Sequence, residues 1–130
     1  MKLAGAAGYV SATVLVLGGL AHALGGWPPM SSALRESGVD ADLAGALAVG
    51  WFFGSVSMLT FGAIVTVSAR RSSRGIGALP GVWLIAAAYA GFGCAAFLLR
   101  HFNPHFLIFI FSGLLVATHA ALAGGSRPRP

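Results

Sequence analysis

The sequence predicts an all-α integral membrane protein, a four-helix bundle in up-down-up-down order, and three observations carry the prediction. Of the 130 residues, 57% are hydrophobic and only 8% charged, with a mean hydropathy of +0.84, a balance that does not fit a soluble globular chain. The charges fall in short patches between long apolar runs. The run 43–68, LAGALAVGWFFGSVSMLTFGAIVTVS, carries no charge and is followed at once by Arg70, Arg71 and Arg74. About 20 apolar residues rising about 1.5 Å each cross a bilayer core, so this run is a span with a basic stop. A chain of this length holds one domain, 1–130.

The first span covers 3–24. Lys2 before an apolar run resembles a signal peptide, and Ala21-His22-Ala23 a cleavage site, but the run is long and three spans follow it, so it reads as a retained helix. Gly8, Ala12, Leu15, Gly19 and His22 recur along one face, a stripe that lets a neighbouring backbone approach and so turns His22 toward the bundle. Gly25-Gly26-Trp27-Pro28-Pro29 is expected to break the helix, opening an outer loop over 25–42. Within it, Ser31 or Ser32 caps a short helix, Gly38 takes the left-handed position that ends it, and Asp40 or Asp42 caps the second span.

The second span, 43–68, holds Gly50 and Gly54 as a packing pair with Gly62 further along, and a basic inner loop over 69–75 follows. The third span, 76–99, has Ala87, Gly91 and Ala95 as its small face, with Trp83 and Tyr89 as interface anchors. Residues 100–104 form a tight turn in which Asn103 caps and Pro104 opens the fourth span, 105–123, whose small face is Gly113, Ala117 and Ala121. A basic tail covers 124–130. Lys2, Arg70, Arg71, Arg74, Arg127 and Arg129 fall on one side, Arg35 and Arg100 on the other. By the positive-inside rule both termini are cytoplasmic.

The net charge of +5 reads as topology, and eleven charged residues in short loops build no groove for nucleic acid. The single Cys94 excludes an intrachain disulfide and a C-x-x-C redox pair. No Asp or Glu lies within a span, which weighs against a proton-coupled exporter. There is no phosphate-binding glycine loop, H-E-x-x-H or nucleophile elbow.

The ionisable residues gather at the outer side: Arg35, Glu36, Asp40, Asp42, Arg100, His101 and His105, with His22 at the outer end of its helix. A buried intramembrane histidine is costly unless it bonds across helices or ligates something. His22, His101 and His105 are therefore the candidate cofactor-binding residues, for haem, a metal or a quinone. The plain alternative is that charges belong in loops and that His22 joins helices. His119 lies roughly 21 Å of helix rise from His105 and cannot share a ligand with His22.

Four short spans, the run Gly18-Gly19-Leu20-Ala21-His22, and Gly50-Trp51-Phe52-Phe53-Gly54-Ser55 continuing through Met58-Leu59 and Phe61-Gly62 resemble the DoxX-like and related uncharacterised four-helix membrane proteins of bacteria. The resemblance implies a bacterial inner-membrane protein, some of whose relatives accompany quinone-linked oxidoreductases, and it transfers no functional residue. The expected function is an accessory or binding subunit without catalytic turnover of its own, in the lipid bilayer, pairing with a membrane-protein partner or with its own copies. The competing expectation is a redox or ligand-binding protein with the outer histidine site. A small-molecule carrier fits less well, because the spans lack charge and the two halves show no repeat.

Overall fold

In a computed structural model that describes residues 2–125, every regular element is helical. Helix α1 spans Lys2–Ala21, a π-helical turn covers His22–Gly26, α2 spans Trp27–Glu36 and α3 Ala41–Ser73; α4 spans Val82–Leu99, a 3-10 turn Pro104–Phe106, and α5 Leu107–Gly124. Four helical stretches are long and apolar enough to cross a membrane: Leu3–Glu36, Ala41–Ser73, Val82–Leu99 and Pro104–Gly124. The chain is an all-α four-helix bundle and a small multi-pass membrane protein. Arg127 and Arg129 of the expected basic tail lie outside the described residues.

The first helix does not stop at the Gly-Gly-Trp-Pro-Pro sequence, where a break is expected; its backbone stays right-handed helical through Glu36. Proline breaks a helix because it lacks an N–H and its ring meets the carbonyl four residues back. Here the wide π turn just before Pro28 and Pro29 shifts that register, and the prolines occupy the first positions of α2, where no N–H is needed. Trp51 of α3 closes the turn: its indole N–H donates to the His22 carbonyl (2.9 Å). Gly26 makes room for it, since a Cβ there would lie 2.7 Å from Trp51 Cζ2.

The expected loop 25–42 thus shrinks to a turn after α2. Val39 N–H donates to Leu34 O and Gly38 N–H to Arg35 O, with Gly38 at φ +68, the paired bonds of a left-handed helix stop. Asp40 then caps α3, its carboxylate accepting from the N–H groups of Asp42 (2.9 Å) and Leu43 (3.2 Å). At the far end Arg70 and Arg71 occupy the last turn of α3 and Arg74 its C-cap, where cations suit the negative helix end. Residues 76–81, expected as helix, form a connector before α4, with Gly77 at φ +86 and Pro80 just upstream of the first helical residue.

Helix α1 packs between α3 and α5, and α4 packs on α5, whereas α3 and α4 meet only lightly. The core runs along α1, with Ala12 and Leu15 against Val65, Val82, Ile85, Ala86, Tyr89, Val116 and Ala120. The first stripe read from the sequence faces inward as expected: Gly8, Ala12, Leu15 and Gly19 are buried and His22 is half-buried. At 1.5 Å per residue α4 is about 27 Å long and α3 about 50 Å. The α2–α3 hairpin therefore overhangs the short α4–α5 hairpin at the end of the bundle that carries Arg35 and Arg100.

A histidine-bearing cavity between the helices

The π turn points the His22 ring at α3. It stacks on Trp51 with ring centroids 4.1 Å apart and planes 12° from parallel, and Trp51 is in turn contacted by Trp27 at 6.0 Å. Gly54, one helical turn below Trp51, would place an added Cβ 3.7 Å from His22 Nε2. Its missing side chain leaves that nitrogen facing open space. Among the described residues neither ring nitrogen of His22 has a hydrogen-bond partner.

That space is a cavity of two adjoining chambers which share His22, Met58, Tyr89 and Phe109. The smaller, about 280 Å³, lies between α3 and α4, with Gly54, Phe61, Ala88 and Phe92 on its walls. The larger, about 610 Å³, reaches between α1 and α5 and is bordered by Leu15, Gly18, Trp51, His105 and Ser112. Among the described residues no Lys, Arg, Asp or Glu lines either chamber. Walls of this composition suit an uncharged molecule.

Tyr89, expected as an interface anchor, is instead buried, 5% exposed, in the wall common to both chambers. Its ring lies against Phe61 at 6.2 Å and Phe109 at 6.1 Å. Its hydroxyl has no partner among the described residues. The signal that locates it is the spacing Val82, Ile85, Ala86, Tyr89 and Gly93, the buried face of α4, rather than the small stripe Ala87, Gly91 and Ala95, which is exposed.

Of the three candidate histidines, the fold brings His22 and His105 to one cavity and leaves His101 out of it. His105 sits at the mouth, exposed, its ring edge-on to Phe106. His101 ends α4. Its φ is +53, and the bonds His101 N–H to Leu98 O and Phe102 N–H to Phe97 O make the same left-handed stop that Gly38 makes after α2. Phe102 closes it by resting edge-on against Phe97 at 5.4 Å. Beside it, Asn103 caps the next turn as expected, accepting from His105 N–H (3.0 Å), and Pro104 follows. Among the described residues no three His, Cys, Asp or Glu come together as a metal-holding group.

His119, whose orientation sequence periodicity leaves open, is fully buried at the opposite end of the bundle. Its Nδ1 lies 2.8 Å from the Ala4 carbonyl, which only accepts, so Nδ1 carries the proton. Nε2 therefore accepts from the Ser68 hydroxyl (2.9 Å), and Ser68 Oγ accepts the Leu79 N–H (3.1 Å). One imidazole in one tautomer ties together α1, α3, the connector before α4, and α5. Gly8 makes space for the ring, since a Cβ there would come 2.7 Å from His119 Cε1.

The four glycines expected at packing faces divide. At Gly113 a Cβ would lie 2.7 Å from Ala90 N and 2.8 Å from Ala86 O, so α4 and α5 touch backbone to backbone there. Gly54 borders the cavity, while nothing lies within 4 Å of a Cβ at Gly50 or Gly91. Gly62 against Val16 and Gly93 against Ile110 make the close contacts on those two helices. No protein-family model, curated protein or solved structure matches the chain, and the reading of its site rests on its own geometry.

Proposed function

We propose that the chain is a bacterial inner-membrane binding subunit, without catalytic turnover of its own, that holds an apolar ligand in the cavity between its helices. Both termini face the cytoplasm, so the cavity lies in the outer half of the membrane, and the DoxX-like resemblance of the first two helices fits that setting. The observation that carries the reading is the cavity itself: about 610 Å³ in its larger chamber, with no Lys, Arg, Asp or Glu among the described residues that line it, and with the His22 ring nitrogens unbonded on its wall. Packed interiors leave few voids larger than a water molecule, so a space of this size suits an occupant. The outward faces at Gly50 and Gly91, open within the chain, leave room for the helix of a partner or of a second copy.

A second reading is favoured by one observation, that His22 and His105 border the same chamber. Two imidazoles on one cavity suit a haem iron held from both faces. An absorption spectrum with mass spectrometry on protein purified in mild detergent separates the two. The expected outcome is a colourless protein that carries a bilayer-derived molecule, lost when Gly54→Leu fills the smaller chamber. A Soret band that disappears in His22→Ala would replace the binding-subunit reading with the redox one.

A further inference from the structure

Tyr89 is the anomaly of the cavity. A phenol hydroxyl within the hydrocarbon layer finds no water, and an unsatisfied polar group there is expensive; yet Tyr89 Oη is enclosed and without a partner among the described residues. It stands in the wall that borders both chambers. Its ring lies against Phe61 and Phe109, and its hydroxyl is bonded to nothing among the described residues. A small turn of the phenol toward the cavity gives its O–H an acceptor only if an occupant supplies one.

We infer that the cavity selects an uncharged lipophile bearing a carbonyl oxygen, which accepts from Tyr89 O–H while the apolar body lies along Met58 and Phe92. This inference rests on the binding reading above and names the ligand class. Four features fix that class. Among the described residues no Lys, Arg, Asp or Glu stands in the walls, which disfavours a charged head group. The unpartnered donor calls for an acceptor. Ser112, the other hydroxyl on the walls, already donates to the Ile108 carbonyl (2.7 Å), which leaves Tyr89 as the hydroxyl in need. The smaller chamber lies where α3 and α4 meet only lightly, with Phe92 54% exposed at its edge, so the ligand enters sideways from the bilayer. Such a carbonyl belongs to a lipid ester or to a prenylated quinone, both of which dissolve in the membrane.

The test is the thermal shift of the full chain in nanodiscs of a diether phospholipid, which has no carbonyl, titrated with decylquinone, with methyl oleate, or with hexadecane. Wild type is expected to be stabilised by one or both carbonyl probes at concentrations about tenfold below those at which hexadecane acts. Tyr89→Phe should abolish that tenfold preference and leave the unliganded melting temperature equal or higher, because it removes a hydroxyl that has no partner. A lower unliganded melting temperature in Tyr89→Phe would show that the hydroxyl is bonded within the fold and would overturn the inference. Equal action of hexadecane and the carbonyl probes would also overturn it while leaving the cavity a binding site. No shift with any probe in wild type would overturn both. Whichever carbonyl probe acts identifies the source, ester or quinone.

Discussion

His101 shows how one residue type serves two unrelated ends. Among the described residues three helices end in the same left-handed stop, with Gly38 at φ +68, Gly75 at φ +79 and His101 at φ +53. Two of the three positions hold glycine, which adopts that conformation freely, whereas an L side chain there is disfavoured by about 1–2 kcal/mol. The imidazole of His101 is exposed and contributes nothing to the cavity. His101→Gly is therefore expected to stabilise the fold by about 1 kcal/mol, less what the glycine adds in unfolded-state freedom, and to leave ligand binding unchanged. Denaturation and ligand titration of the variant check both halves. A loss of binding would return His101 to the site. His22, on the same reasoning, is legible from the sequence because its helix carries it on an inward stripe of small residues. His119 is not, since its partners, the Ala4 carbonyl and Ser68, lie 115 and 51 residues away along the chain.

The element scale explains which faces the sequence discloses. In a soluble helix the buried face is the apolar one, but a membrane helix meets lipid as apolar as its core, so hydrophobic periodicity does not tell inside from outside. The number and order of the long helices are legible, because charged patches separate them. Asp40, Gly38 and Asn103 act in the structure as local capping rules require. The faces of α4 are not legible from small residues alone: Ala87, Gly91 and Ala95 are exposed, and Gly93 and Tyr89 face inward. The π turn is equally hidden, since Pro28 and Pro29 read as a break until Trp51, far along the chain, closes the turn. Close approach of backbones is the better criterion, and it makes a prediction. A Cβ at Gly113 would lie 2.7 Å from Ala90 N, and at Gly93 2.7 Å from Ile110 N, with backbone that no rotamer change can move. Gly113→Val or Gly93→Val should force α4 and α5 apart and destabilise the bundle by about 1–3 kcal/mol. Gly91→Val, with nothing within 4 Å, should be near neutral; unfolding of the three variants in the same detergent gives the comparison.

At the scale of the whole molecule, uneven helix lengths and uneven charge point the same way. The end with the N terminus of α1 and the C terminus of α3 carries Arg70, Arg71 and Arg74, whereas the opposite end carries Arg35 and Arg100 among three acidic residues. A net count of basic residues in short loops orients a multi-pass chain during insertion, with little opposition from carboxylates. The Arg-rich end is thus predicted to be cytoplasmic, which places the overhanging α2–α3 hairpin, the His105 mouth of the cavity and the His101 stop on the far side. The chain has one native cysteine, Cys94, on the exposed face of α4, so Cys94→Ser gives a clean background for mapping. Ser37, the C-cap of α2, and Ser73, the last residue of α3, are both exposed and lie at opposite ends of the bundle. In intact cells a membrane-impermeant maleimide should label Ser37→Cys readily and Ser73→Cys only after the cells are opened. The reverse pattern would invert the topology and move the cavity mouth to the cytoplasm, and replacing Arg70, Arg71 and Arg74 by glutamine should carry part of the population toward that inverted pattern.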